Sequence, residues 1–414
     1  MKKHRIIDQE ELSRIISRSL NSLGICLMSI IFFSILSSCN NEQSDPIDSY
    51  FGPEISVEEL EEFILERKEH YKIPGLSIAF VNNSRIKYYS TFGYSNKEKR
   101  RKVENTTIFE AASLSKPVFA SFVMTYVDQN RLDLDKPLFE YLPYPDIEYD
   151  SRYKKITARM VLSHRTGFPN WRTDRVDKKL VIEFEPNTNY QYSGEGYQYL
   201  ALVLKSIEEC TWRELDDKFQ KRIAIPSGMR NSTFLQNDNT KNDKAEAYDE
   251  NGNWISPQLD TDSILRYQFR SPASLHSEAI DFSKWMIMIM ERNTLSEKSH
   301  NELFTTHSYV GDFSGIPLEY TLGFFSPQAP FTDIFLHGGN NYGFTSFFAM
   351  DPSKKWGFVL FTNSEFGEQF GTDLLIYSLV GPNQWILIIP LIIILILLFL
   401  AFRYAIKLFR RSKI

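Results

Sequence analysis

Three Ser-x-x-Lys spacings occur in the chain: Ser84/Lys87, Ser113/Lys116 and Ser151/Lys154. A serine hydroxyl becomes a nucleophile only when a base takes its proton. A lysine serves as that base when burial or a nearby cation favours its neutral amine; a tyrosine lowered by an ammonium is the other candidate. Residues three apart share a face on a helix but point to opposite faces on a strand. Ser84/Lys87 lies at the turn and strand of an expected hairpin, so its side chains diverge. Ser151/Lys154 falls in the polar loop "YDSRYKK", with nothing to bury the lysine. Ser113/Lys116 stands in "FEAASLSKPVFA", where an apolar helical pattern begins. Pro117 fits only in the first turn of that helix, since deeper in it would cost about 3 kcal/mol. The helix N-terminus favours negative charge developing beside Ser113.

Two further stretches offer chemistry. "PNTNYQYSGEGYQYLALVL" places Tyr192, Ser193 and Gly194 just before an apolar helical run. In "FLHGGNNYGFTS", His337 ends a strand pattern before Gly338 and Gly339, which let a substrate backbone approach the strand edge. His164 in "LSHRTG" suggests a Ser-His-Asp triad, but its setting is that of a structural loop histidine. His276, His300 and His307 carry no ligand spacing. There is no Cys-x-x-Cys, His-Glu-x-x-His or phosphate-cradling Gly-rich Lys motif, so no metal or cofactor is implied. The net charge of −5 argues against a nucleic-acid partner.

The elements that must position these residues are legible in outline. Ser56 and Glu59 form a capping box ahead of an apolar stripe, and Pro74-Gly75 breaks that helix. "LSIAFV" and "RIKYYSTF" then read as a hairpin. The middle of the chain is mainly helical, with Thr157 and the Thr211/Glu214 box as caps. The last third turns to strands, "YTLGFF", "DIFLHGG", "TSFFAMD" and "WGFVLFTN", followed by a helix from about Glu365 to Leu379. The N- and C-terminal strands are expected to share one antiparallel sheet, with the helical part as a second lobe. Of three cysteines only Cys210 lies in the body of the chain, which excludes a disulfide scaffold.

Both ends carry membrane signals. A basic stretch precedes the apolar run Ile25–Leu36, which has signal-peptide length and ends in "LSSCN". Residues 1–39 therefore read as a signal peptide closing on a lipobox-like Cys39, the candidate lipidation site. Residues 40–53 read as a polar tether. "WILIIPLIIILILLFLAF", 385–402, is uncharged and long enough for one crossing, and 403–414 is a basic tail. The positive-inside rule puts that tail in the cytoplasm and the domain at 54–381 outside a bacterial cell membrane.

The ordered set "LDLDKPLFEYLP", "ITARMVLSHRTGFPNW", "FEPNTNYQYSGEGY", "IAIPSGMRNSTF", "SPASLHSEAIDFSKW" and "HGGNNYGFTSFFAMDPSKKWGFVLFTN" resembles the serine β-lactamase-like superfamily. That group holds class C β-lactamases, D-alanyl-D-alanine carboxypeptidases and related esterases. The resemblance implies an α+β fold of the β-lactamase/transpeptidase type, an antiparallel sheet flanked by helices with a mainly helical lobe. To this the sequence adds a C-terminal transmembrane helix. It selects Ser113 as the acylated nucleophile, with Lys116 and Tyr192 sharing proton transfer. The N–H groups of Ser113 and Asn340 would form the oxyanion hole, with His337, Gly338, Gly339 and Gly194 lining the substrate site. Two positions depart from the pattern. Gly194 stands where an asparagine often binds a substrate amide, and His337 where β-lactamases carry a lysine for the substrate carboxylate. Both tilt the expected substrate away from β-lactams and D-Ala-D-Ala toward another small ester, amide or peptide. They also motivate the alternative, a non-catalytic cell-wall or ligand-binding protein.

Overall fold

The computed structural model describes residues 45–255, 268–313 and 315–382. The expected signal peptide with Cys39, the span at 385–402 and the tail at 403–414 lie outside the described residues. Among the described residues no helix is long and apolar enough to cross a membrane.

In chain order the main elements are α1 (Val57–His70), β1 (Gly75–Asn82), β2 (Arg85–Asn96), β3 (Arg101–Lys102), α2 (Ser115–Asp128), α3 (Ala158–Leu162), α4 (Gly194–Ile207) and α5 (Trp212–Phe219). Then follow α6 (Ala279–Met290), α7 (Glu297–Phe304), β4 (Ser308–Phe313), β5 (Ile316–Tyr320), β6 (Phe325–Pro327), β7 (Phe335–Asn340), β8 (Thr345–Asp351), β9 (Trp356–Thr362) and α8 (Gly367–Val380). Among the described residues the main sheet has nine antiparallel strands in the order β4-β5-β6-β7-β8-β9-β1-β2-β3. The first and last thirds of the chain therefore meet in one sheet, joined where Thr362 of β9 pairs with Leu76 of β1.

The sheet's two faces follow from the two-residue period of a strand. Ile78, Phe80, Phe358 and Leu360 pack with Leu60 and Ile64 of α1 and Phe370 and Leu374 of α8. Ala79, Val81, Val359 and Phe361 join a larger core with Phe122 of α2, Tyr197 of α4 and Phe282 of α6. Each Val, Leu, Ile or Phe side chain among them, fully buried, contributes about 1.5–3 kcal/mol. The β1–β2 hairpin turns on Asn83 and Ser84, at φ of 51° and 55°. Two successive left-handed residues make the turn whose twist suits a hairpin. Ser84 thus occupies the turn and Lys87 the strand, and this pair forms no catalytic unit.

The segment expected as a tether, 40–53, is docked from Ile47 onward. Ile47–Asp48 pairs with Glu54–Ile55, Ile47 and Tyr50 are buried, and Tyr50 donates to Asp351 Oδ2 at 2.7 Å. Polar contacts add to these anchors: the Asp48 N–H donates to Asn82 Oδ1 at 3.0 Å and the Tyr50 N–H to the Ser378 carbonyl at 2.9 Å.

Candidate active site

The backbone ahead of Ser113 is fixed from both sides. Phe109–Glu110 pairs with His276–Ser277, and the Ala111 N–H donates to the Leu275 carbonyl at 2.8 Å. Ala112 then adopts φ of 47°, a left-handed conformation that costs a non-glycine residue about 1–3 kcal/mol. The strain turns the chain sharply through the one-turn helix Ala112–Leu114 into α2, leaving Ser113 at the head of that helix. Pro117 falls in the first turn of α2, where its missing N–H costs nothing.

One turn on, Lys116 Nζ lies 3.0 Å from Ser113 Oγ and donates to the Pro272 carbonyl at 3.0 Å. The Tyr192 ring lies 4.4 Å from the same nitrogen. Lys116 is 1% exposed, and burial holds its pKa well below the usual lysine range. The buried amine is therefore suited to accept the serine proton.

Tyr192 is held by the cap of α4. Ser193 Oγ accepts from the Gly196 N–H at 3.0 Å, and the Ser193 N–H donates to His164 Nδ1 at 3.0 Å. Burial pushes the Tyr192 phenol well above its ordinary pKa, and a hydrogen bond with Ser113 pulls the other way. The phenol therefore keeps its proton at neutral pH. His164 is buried and neutral, its ring 4.4 Å from that of Tyr192. Because its Nδ1 accepts a backbone N–H, its proton sits on Nε2. It supports Tyr192 from behind, in keeping with a structural loop histidine.

The edge of β7 forms the opposite wall. A Cβ at Gly339 would stand 2.9 Å from Ser113 N and 2.8 Å from the Ala111 carbonyl. Only glycine lets the strand lie this close to Ser113. Gly338 faces Glu368 of α8, whose Oε1 would be 3.0 Å from a Cβ there. Burial, then the neighbouring Glu365, raises the Glu368 pKa. Asn340, at the end of β7, donates through Nδ2 to Glu365 Oε2 at 2.9 Å, and Glu365 also accepts the Gly343 N–H. Glu365 thereby clamps the β7–β8 turn.

Both departures from the resemblance have a physical basis. A Cβ at Gly194 would stand 2.7–2.9 Å from atoms of the Trp171 indole, so that ring fills the space a side chain would take. His337 is buried, with Nε2 3.1 Å from Tyr320 Oη and Nδ1 2.5 Å from the Gly338 carbonyl. Burial, aided by Lys116, pushes its pKa down to about 3. It is neutral at any ordinary pH and supplies no cation for a carboxylate. Glu195, next to Gly194, is buried, and both its carboxylate oxygens accept from the Arg172 guanidinium at 2.8–3.0 Å. Trp171 closes the segment "ITARMVLSHRTGFPNW", whereas Glu365 and Glu368 lie outside the quoted motifs, their only sequence signal being their place at the start of the last helix.

A cavity of about 630 Å³ opens beside Ser113 and Tyr192, between β5–β7 and α8. Among the described residues no group of three or more His, Cys, Asp and Glu side chains is placed to hold a metal.

The chain is 23% identical over 311 residues to Protein flp of Staphylococcus aureus (strain MW2), an alignment covering 70% of this chain and 60% of that one. It therefore spans about 60% of the length of that curated relative. The fold is similar to the octameric penicillin-binding protein homologue from Pyrococcus abyssi, with TM-score 0.65, 22% identity and coverage of 75% of this chain and 74% of that one. It is also similar to the D-alanine carboxypeptidase AmpC from Burkholderia cenocepacia, with TM-score 0.63, 17% identity and coverage of 78% and 98%. The Beta-lactamase family model matches residues 60–379, which include Ser113, Lys116, Tyr192 and the β7 edge, and the chain therefore belongs to the Beta-lactamase family of serine hydrolases.

Proposed function

We propose that this protein is a serine hydrolase that forms an acyl-enzyme on Ser113 and acts on an ester or a non-β-lactam amide or peptide. The observation that carries this reading is the desolvated Lys116 amine 3.0 Å from Ser113 Oγ, neutral by burial. As Oγ attacks the substrate carbonyl carbon, Lys116 takes its proton and the carbonyl electron pair moves to oxygen. The N–H groups of Ser113 and Asn340 receive that oxyanion, an arrangement typically worth about 3–4 kcal/mol per donor. Collapse expels the alcohol or amine, which takes a proton passed through Tyr192. Water then enters by the same route in reverse and frees Ser113. Neutral His337 and the Trp171-covered Gly194 offer a substrate carboxylate or amide little, which supports ester and other amide substrates over β-lactams. The span at 385–402 and Cys39 support placement at a bacterial cell membrane with the domain outside. Protease digestion of spheroplasts checks this, and a protected domain sinks it.

The test of the chemistry is intact mass of the full-length chain after a fluorophosphonate and, separately, a penicillin, with Ser113→Ala as control. A fluorophosphonate adduct lost in the variant is expected, with little or no penicillin adduct. No adduct on folded protein would leave the family fold serving as a non-catalytic ligand-binding protein.

A further inference from the structure

We infer that the cavity beside Ser113 is an acyl-chain site, and that the substrate is an ester or amide of a medium- to long-chain aliphatic acid. This rests on the serine-hydrolase reading and names the substrate class of that same site.

The cavity wall is hydrocarbon over most of its extent. Leu318 of β5, Phe325 of β6, Ile334 just before β7, Leu336 of β7, Phe347 of β8 and Leu375 of α8 all line it. The sheet pairing sets Phe325 opposite Leu336 and Leu318 opposite Pro327, so neighbouring strands add to one apolar surface. Phe313, at the cavity's rim, is 65% exposed and adds a further apolar side chain to the lining. The polar end is equally defined. Ser113, Tyr192 and Asn340 lie at the cavity's reacting end, and Glu368 flanks Gly338 there. A volume of about 630 Å³ falls within the range of small-molecule pockets.

The chemistry assigns this room to the acyl half. After the first step the leaving group departs, while the acyl half stays bonded to Ser113 Oγ until water arrives. An apolar space opening on that oxygen therefore holds the acyl chain throughout both steps.

The experiment uses the full-length chain in nanodiscs and p-nitrophenyl esters from acetate to decanoate at monomeric concentrations. Each methylene that enters the cavity is expected to raise kcat/KM by about fourfold until the space is filled. Decanoate is then expected to exceed acetate by at least about tenfold, a floor well below that per-methylene gain. Leu318→Trp fills the wall and Leu375→Gln makes it polar, and both positions are half-buried. In each variant the decanoate-to-acetate ratio is expected to fall by about tenfold or more, with thermal unfolding and fluorophosphonate labelling confirming a folded site. A flat or falling profile on protein that labels at Ser113 overturns the inference and leaves the serine-hydrolase reading standing. So does a rise with alcohol length instead of acyl length. Failure of Ser113 to label overturns that reading, and the acyl-chain site with it.

Discussion

Ser113/Lys116 and Ser151/Lys154 share a spacing, and the structure places both on helical turns. There the likeness ends. Lys116 is sealed under Tyr192 and Tyr197, with its amine against Ser113 Oγ. Ser151 and Lys154 are exposed, and the Lys154 amine sits 5.8 Å from the Phe139 ring centroid. Three-residue spacing supplies contact between two side chains. Desolvation favours the neutral amine, and the Tyr192 and Tyr197 rings packed over Lys116 provide it.

The sharpest way to break this contrast is to remove the Lys116 amine. Lys116→Met is expected to slow fluorophosphonate labelling and ester hydrolysis by about three to four orders of magnitude, read by stopped-time mass spectrometry. The pH dependence carries a second signature. Lys116 has a folded pKa below its unfolded value, so its amine is neutral above that lowered pKa. Wild-type labelling should rise with pH through a limb displaced below 10.5 and level off above it, and Lys116→Met should lack the limb. Between the lowered pKa and 10.5 the unfolded chain binds more protons than the folded one, so the stability contributed by Lys116 rises with pH across that window. Lys116→Met should accordingly be more stable than wild type at acid and neutral pH, with the gap closing toward 10.5. Thermal unfolding at several pH values decides this; a gap that widens with pH would contradict the buried neutral amine.

A smaller effect is expected from Tyr192→Phe, which keeps the ring beside Lys116 but removes the proton relay. A loss of about 100- to 1,000-fold in kcat with folding intact would support the relay. Wild-type rates would leave Lys116 as the whole of the base. Next in size comes Gly194→Asn, which supplies the side chain that the resemblance would put there but forces it into the Trp171 indole. Denaturant unfolding should show a loss of about 1–3 kcal/mol, recovered largely by adding Trp171→Ala. Last, Ser151→Ala and Lys154→Met should change stability by no more than about 0.5 kcal/mol and leave labelling at Ser113 unaltered. Any drop in labelling would mean that the exposed pair is not idle.

Local features were legible in the sequence wherever the deciding groups are neighbours in the chain. The capping boxes at Ser56 and Thr211 and the hairpin turn near Asn83 rest on contacts within four residues. So does the Ser113–Lys116 contact. What stayed hidden depends on residues far apart. The Trp171 ring occupies the space at Gly194 across 23 residues, and the Pro272 carbonyl reaches Lys116 across 156. The cavity draws on β5, β6, β7 and α8, whose apolar residues each read singly as ordinary core. The docking of Ile47 and Tyr50 was missed for the same reason, since Asp351 and Ser378, which hold Tyr50, lie some 300 residues away.

Helix α8 has a consequence for how substrate is found. Leu379 lines the cavity one residue before the helix ends, and the apolar stretch begins at Trp385. Six residues reach at most about 20 Å when fully extended. If that stretch anchors the protein as proposed, the mouth of the site is leashed to a thin layer over the lipid surface. Encounter then becomes a search in two dimensions, in which turnover follows the surface density of substrate in the membrane and hardly responds to its concentration in the surrounding fluid.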